Sequence, residues 1–358
     1  MNRPGPMLGA PTGHVRFGTR RSLLLHRRSL VVVGISLVVI LAGTVASLTT
    51  GAYPVSLEEL LAVFRNGGED LAPFIVLQQR LPRVTGALVI GGMLGLSGAL
   101  FQSVSRNPLG SPDIVGFTRG ATTGGLLAIL VFSTTSTLAT GAGAILGGAV
   151  TAAVVIGLTL RRGIGGDPLV LAGIALGQLL ASLNDYLLAA ASLEAAEAAK
   201  TWQHGSLNGI TWGIVTPLLI TAALLLPVGL WVAGPGRILE MGDDAAAGLG
   251  LRVQRTRAVM IGYGVVLAAV CVAAAGPIGF LALAAPQLAS RLSRSAGISL
   301  LPSFTVGATL LLLADFTAGR LLSPFQIPVG LVSSALGGLY LMWLLGMGGR
   351  RPTVRPRA

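Results

Sequence analysis

The chain has one cysteine, one lysine and three histidines in 358 residues. Cys271 sits inside an apolar run and can form no internal disulfide. His14, His26 and His204 are far apart in sequence, two of them in a polar N-terminal stretch, so no metal site and no bound cofactor is expected. Charge is equally scarce. Asp, Glu, Lys and Arg make up 11% of the residues, against about 25% in an average soluble protein. Soluble domains of this length could not cover their surfaces with so few polar side chains. A phosphate-binding Gly-x-x-x-x-Gly-Lys-Ser/Thr loop is also missing, because the only lysine, Lys200, follows Ala199. The chain is therefore not expected to hydrolyse ATP by itself. Ser97, Ser103 and Ser105 have no histidine that sequence would set beside them, and no catalytic triad or metal-hydrolase motif appears. A soluble enzyme, a disulfide scaffold and a disordered chain are all excluded.

What is abundant is apolar. Hydrophobic residues make up 53% of the chain, and mean hydropathy is +0.79. They fall in long blocks separated by short basic or Gly/Pro-rich breaks, the pattern of a multi-span membrane protein. The blocks predict spans at about 30–50, 84–104, 114–132, 138–160, 169–191, 213–233, 257–275, 277–292, 303–321 and 328–346. Those at 114–132 and 277–292 are short and interrupted. The reading is an all-α polytopic membrane protein of about ten transmembrane helices with both termini cytoplasmic. A polar tail at 1–29 precedes a permease-like membrane domain at 30–348, and a basic tail at 349–358 follows. Orientation rests on the basic residues. Nineteen fall in segments that would face the cytoplasm and five (Arg65, Arg80, Arg83, Lys200 and Arg320) in outer segments, with Arg119 inside a span. That bias is the positive-inside rule. It also accounts for the net charge of +12 without a nucleic-acid partner, since the chain has no basic face with interleaved aromatics.

Small residues pattern the spans: Gly91-x-x-x-Gly95, Gly120-x-x-x-Gly124, Gly143-x-x-x-Gly147 and Gly173-x-x-x-Gly177. Glycine at every fourth position lets helix backbones approach closely in lipid. Close packing is the main expectation, with some glycines free to line a pathway. Intramembrane carboxylates are costly, and the candidates are Asp185 and Asp315. Asp315 is expected in a structural pair with Arg119 or Arg320 rather than in a proton relay. The remaining signal lies in the breaks. Arg80-Leu-Pro-Arg83 stands where an outer loop meets the second span, and Arg106-Asn-Pro-Leu-Gly-Ser-Pro-Asp-Ile-Val-Gly116 follows that span. Irregular backbone at membrane depth is tolerated where it lines a cavity or is buried in protein. Met241 to Gly250 reads as a cytoplasmic loop holding a short helix, with Asp243 and Asp244 suited to its first turn. Such a helix offers a surface to a soluble partner; an ordinary solvated loop is the alternative.

Taken in order, these breaks resemble the FecCD family of ABC-transporter permeases over about residues 50–348. Arg80-Leu-Pro-Arg83, Gln102, Arg106-Asn-Pro-Leu109 and Pro112-Asp113-Ile-Val-Gly116 carry the resemblance. So do Leu171-Ala-Gly173, Gly242-Asp-Asp-Ala245 with Leu249-Gly250, Gly276-Pro-Ile-Gly-Phe280, Pro286, Ala314-Asp315, Arg320 and Ile327-Pro-Val-Gly330. The resemblance implies a permease subunit in the cytoplasmic membrane that pairs with a second permease subunit, identical or paralogous. It also implies two cytoplasmic ATPases, which hydrolyse the ATP, and an extracytoplasmic substrate-binding protein. Arg80, Arg83 and Arg320 correspond to outer arginines that receive the binding protein. Gly242, Asp243, Asp244, Ala245, Leu249 and Gly250 correspond to the ATPase coupling loop. Asn107, Leu109, Gly166 and Asp167 fall at the cytoplasmic gate. The helix after Leu169, carrying Gly173, Gly177, Gln178 and Asn184, is assigned to the pathway for its small glycines and weakly binding amides. Many members read Pro-His and Glu-Leu-Pro-Val-Gly where this chain has Pro286-Gln287 and Gln326-Ile-Pro-Val-Gly330. Both glutamine versions are most similar to the ferric-enterobactin branch. A ferric siderophore is therefore the expected cargo, with haem or cobalamin as the alternatives inside the family. An ion-coupled secondary transporter, or a membrane sensor, is the alternative outside it.

Overall fold

The computed structural model describes residues 14–17, 21–24, 27–66, 71–134, 136–159, 166–295, 297–322 and 325–348. Most of the two tails, Glu69, Asp70, Arg161 and Arg162 lie outside the described residues. Within the N-terminal tail, His14–Phe17 (β1) and Arg21–Leu24 (β2) pair as an antiparallel hairpin. All other regular structure among the described residues is helical.

A helix lies on each of the apolar blocks: α1 Arg27–Thr49, α3 Leu81–Ser105, α4 Phe117–Leu126, α5 Thr137–Thr159 and α6 Gly166–Ala190 come first, with α2 between α1 and α3. They are followed by α8 Trp212–Glu240, α10 Val253–Ala275, α11 Leu281–Ser293, α12 Leu300–Leu321 and α13 Val329–Gly348. Among the described residues seven helices are long and apolar enough to cross a membrane, and two further apolar helices, Phe117–Val131 and Val329–Trp343, are shorter. Three more helices sit in the connections: α2 Leu57–Asn66, α7 Leu193–Gln203 and α9 Asp243–Gly248. The start of α2 is a reciprocal capping box. Glu59 N–H donates to Ser56 Oγ (3.1 Å), and Ser56 N–H donates to the Glu59 carboxylate (2.7 Å).

Helix α3 is the central post, almost wholly buried, and packs against α8, α10, α11 and α12. Its apolar residues Ile90, Met93, Leu100 and Phe101 are sealed in the main core with Met260, Ile261 and Leu267 of α10. Helix α1, by contrast, exposes Val31, Ile35, Val38 and Leu41, as a lipid-facing helix does. The glycine repeats act as packing surfaces. The Gly120/Gly124 face of α4 meets the Gly143/Gly147 face of α5, and a methyl group at any of the four would collide with backbone of the opposite helix. The Gly91/Gly95 face of α3 meets Gly307 and Ser303 of α12 in the same way.

Two boundaries differ from the sequence expectation. Residues Phe74–Arg80 form a wider π-type turn that runs directly into α3, so Arg80-Leu-Pro-Arg83 lies inside continuous helix rather than at a loop junction. Pro82, at the start of the regular helix, lacks an N–H, and the Leu77 carbonyl five residues before it accepts from the Trp212 indole N–H instead (2.7 Å). The expected span 277–292 is helical only from Leu281. Gly276 (φ +72°) and Phe280 (φ +64°) hold an irregular stretch before it.

Candidate functional site

The end of α3 that carries Arg80 and Arg83 gathers three arginines, each already bonded within the chain. Arg80 donates to the carbonyls of Leu48 (2.6 Å) and Tyr53 (2.5 Å), tying α3 to the end of α1. Arg320 donates to the carbonyls of Phe316 and Thr50 (both 3.0 Å) and to the Thr50 hydroxyl, with its guanidinium 3.5 Å from the Phe316 ring centroid. Arg83 makes a two-pronged ion pair with Asp315, at 2.8 and 2.9 Å. Asp315 is therefore in a structural pair, as expected, but its partner is Arg83 and not Arg119 or Arg320. The reason is register: one turn into α3, Arg83 faces Asp315 near the end of α12. Arg80, bonded to neutral oxygens, carries charge that those bonds do not cancel; Arg320 is also bonded to neutral oxygens but feels the Asp315 carboxylate as well. The charge of Arg83 is met by Asp315.

At the opposite end of α3, Arg106 adopts a left-handed turn (φ +50°) that terminates the helix. Its guanidinium reaches the Leu239 carbonyl (3.0 Å) and the Asp243 carboxylate, and Arg257 of α10 donates to the same Asp243 oxygen at 2.8 Å. The short helix α9 is thus stapled to α3 and α10 through Asp243. Gly242 (φ +112°) and Gly250 (φ +81°) bracket it in conformations that side chains resist. Ala246 faces inward, whereas Met241, Asp244, Ala245 and Leu249 are exposed. Nearby, Glu240 accepts from the Ile298 N–H (2.7 Å) and the Ser103 hydroxyl (3.3 Å).

Between these ends lies a cavity of about 780 Å³. The irregular 106–116 segment forms one side of it. There Asn107 accepts from the Leu109 N–H through its side chain (2.9 Å), Leu109 faces the cavity, and Gln287 of α11 holds the Pro108 carbonyl at 2.5 Å. Asp113, also on the wall, accepts from the Thr118 hydroxyl (2.6 Å) and the Phe280 N–H (3.2 Å), which joins the two irregular stretches. Gly177, Gln178 and Asn184 of α6 form the facing side, and Arg119 of α4 reaches across to the Gly177 carbonyl (3.0 Å) and the Gln178 side-chain oxygen. The 204–206 turn closes over them, through Ser206 N–H to the Ala275 carbonyl (2.8 Å) and Gly330 N–H to the Gly205 carbonyl (3.1 Å).

The sequence-predicted residues thus divide into three groups. Leu109, Gly177, Gln178 and Asn184 share the cavity. Gly173 does not line it, because it packs against Val115. Gly166 and Asp167 begin α6, but their side chains lie outside the described residues. Sequence reasoning missed Phe280, Ser334 and His204 on the cavity wall, which come from parts of the chain that only the fold brings together. It had noted Arg119 without placing it there. A lone cation in an apolar run was the available signal. Among the described residues no group of three or more His, Cys, Asp or Glu is arranged to hold a metal ion.

Known proteins carry the same pattern. A profile of the FecCD transport family matches residues 37–346. The ferric enterobactin transport system permease protein FepG of Escherichia coli is 43% identical over 298 residues, covering 83% of this chain and 90% of that protein. The hemin transport system permease protein HmuU of Yersinia pestis is 33% identical, covering 87% and 94%. Among solved structures, an inward-facing conformation of a metal-chelate type ABC transporter superposes with a TM-score of 0.79 at 28% identity, covering 89% of this chain and 99% of that one. With its apolar helices and its matched length, this chain belongs to the FecCD transport family and is a multi-pass permease of the cell membrane.

Proposed function

We propose that the chain is the permease subunit of an ATP-binding-cassette importer that carries ferric siderophores into the cell, with haem or cobalamin as the alternative cargo. The observation that carries this reading is the cavity between two differently equipped ends. One end presents arginines bonded to neutral oxygens, and the other presents an exposed short helix. The 43% identity to an enterobactin permease supports the choice of cargo.

In this reading ten helices cross the membrane and both termini are cytoplasmic. The domain at 30–348 carries the pathway, and the tails at 1–29 and 349–358 lie inside the cell. A second permease subunit completes the pathway, and two ATPases supply the ATP hydrolysis that this chain lacks. One ATPase seats on α9 through Met241, Asp244, Ala245 and Leu249, while Asp243 holds the helix in place. A binding protein docks at the opposite end, where its carboxylates meet Arg80 and Arg320 and Arg83 positions α3 through Asp315. Arginine suits that role because its planar fork takes carboxylates two-pronged. The segment Asn107–Leu109 and the start of α6 at Gly166 and Asp167 form the inner gate. Arg106 links the gate to the ATPase seat, since its backbone begins the gate segment and its side chain holds Asp243.

The test is ATP hydrolysis by the transporter assembled in vesicles from this chain, ABC ATPase subunits and a substrate-binding protein. The reading expects hydrolysis to rise when the loaded binding protein is added. Hydrolysis indifferent to that protein contradicts it.

A further inference from the structure

Arg119 is a guanidinium projecting from an apolar helix into the cavity, and it donates to two neutral acceptors, the Gly177 carbonyl and Gln178 Oε1. A cation at membrane depth is expensive to keep, and this one is not spent on an ion pair, unlike Arg83. On the same face of the cavity, Asn184 of α6 is 3% exposed and its side-chain oxygen has no hydrogen-bond partner. A buried, unpaired amide oxygen lowers stability. Two polar groups retained at a cost on the wall of one cavity point to something that passes through it.

We propose that Arg119, with Gln178 and Asn184, forms a recognition post for an anionic, oxygen-rich iron chelate, and that Arg119 reads its negative charge. The inference rests on the reading of this chain as a ferric-chelate permease. Three catecholate dianions around one ferric ion leave a trianion whose outer surface carries oxygen acceptors. Arg119 donates to such groups, and Gln178 and Asn184 stand with it on the cavity wall. The cavity also holds two carboxylates. Asp113 is bonded to Thr118 and the Phe280 N–H, and Asp185 stands exposed on the rim. The two carboxylates weaken the pull of the one cation on an anion, so a cargo drawn to Arg119 can also leave.

The experiment measures uptake of ferric enterobactin into vesicles carrying the complete transporter, with the yield of assembled complex measured in parallel. Arg119→Gln is expected to lower uptake kcat/KM by about tenfold or more, the scale of a lost charge-assisted contact, while Arg119→Lys retains most of it. Asn184→Leu is expected to lower uptake and to raise the melting temperature of the complex, because it removes an unpaired buried oxygen. Equal losses in Arg119→Lys and Arg119→Gln overturn the proposal, since they mark a mere tether between α4 and α6. Wild-type uptake in Arg119→Gln overturns it as well, as does an Asn184→Leu complex that is less stable than wild type. If the wild-type transporter takes up no ferric chelate at all, the functional reading falls and the proposal with it, an outcome distinct from failure of the variants alone.

Discussion

The Arg83–Asp315 pair gives a stability prediction whose size follows from its geometry. Both prongs are near 2.8 Å, and the side chains are 22% and 8% exposed. Removing one partner of a buried pair costs about 3–5 kcal/mol, because the other charge is left stranded. Arg83 is the more exposed partner and has a long stem that can swing toward the interface. Asp315→Ala is therefore placed at the low end, about 3 kcal/mol. Arg83→Leu strands the better buried carboxylate and is placed higher, about 4 kcal/mol. The double variant Arg83→Leu/Asp315→Leu strands nothing and is expected within about 1 kcal/mol of wild type. Unfolding in mixed detergent micelles, followed by the exposure of buried Cys271 to a thiol reagent, measures all three. Single losses that add up in the double variant would refute the reasoning, because they would mean that the two charges do not stabilise each other. The same geometry decides which docking variants are informative. Arg83→Glu would set two carboxylates against each other inside the fold, so loss of docking in that variant could be loss of structure.

Arg80→Gln combined with Arg320→Gln is expected to reduce binding-protein-stimulated ATP hydrolysis at least tenfold, given that charge pairs across an interface couple by about 1.5–7 kcal/mol; hydrolysis titrated against binding-protein concentration checks this. Asp244→Lys is expected to weaken co-purification with the ATPase while leaving the permease folded, whereas Asp243→Asn loosens the Arg106 and Arg257 staple and makes the 241–250 loop more susceptible to limited proteolysis. Gly124→Val forces a branched side chain against the Gly143 carbonyl and is expected to destabilise the α4–α5 pair by about 1–3 kcal/mol or more, read as a lowered melting temperature. In a Cys271→Ser background, cysteines at positions 177, 178 and 181 are expected to react with a thiol reagent and to be protected by cargo, while one at 173 stays unreactive behind Val115.

Much of this architecture was legible in the sequence, for reasons that can be traced. Apolar runs of about twenty residues are long enough to need a helix in lipid, and every such run became one. The glycine repeats announced close packing, and Gly120/Gly124 against Gly143/Gly147 is that packing. Helix boundaries were less legible. At the π-type turn Phe74–Arg80 the Leu77 carbonyl accepts from the Trp212 indole N–H at 2.7 Å. That bond comes from a residue far along the chain. The pairing of Asp315 was misjudged for a similar reason, since the choice among Arg83, Arg119 and Arg320 is made by the register of α3 against α12. The capping box at Ser56 and Glu59 was readable as Ser-x-x-Glu and would have revealed α2. Among the candidate site residues on α6, Gly173, Gly177, Gln178 and Asn184 came from their small or amide side chains, and Gly166 and Asp167 from the family resemblance. The opposing wall of the cavity is assembled from the 204, 280 and 330–334 regions; Gly276-Pro-Ile-Gly-Phe280 and Ile327-Pro-Val-Gly330 stood out as motifs, but nothing local says that they share a cavity with His204.

The central claim is that cargo crosses through this chain and its partner at the expense of ATP hydrolysed elsewhere. Uptake of radiolabelled ferric siderophore into vesicles, with ATP and an imposed proton gradient supplied separately, tests it most directly. The account predicts accumulation that requires the ATPase subunits, internal ATP and external binding protein, and that ignores the proton gradient. Accumulation that follows the proton gradient with no ATPase present would contradict it.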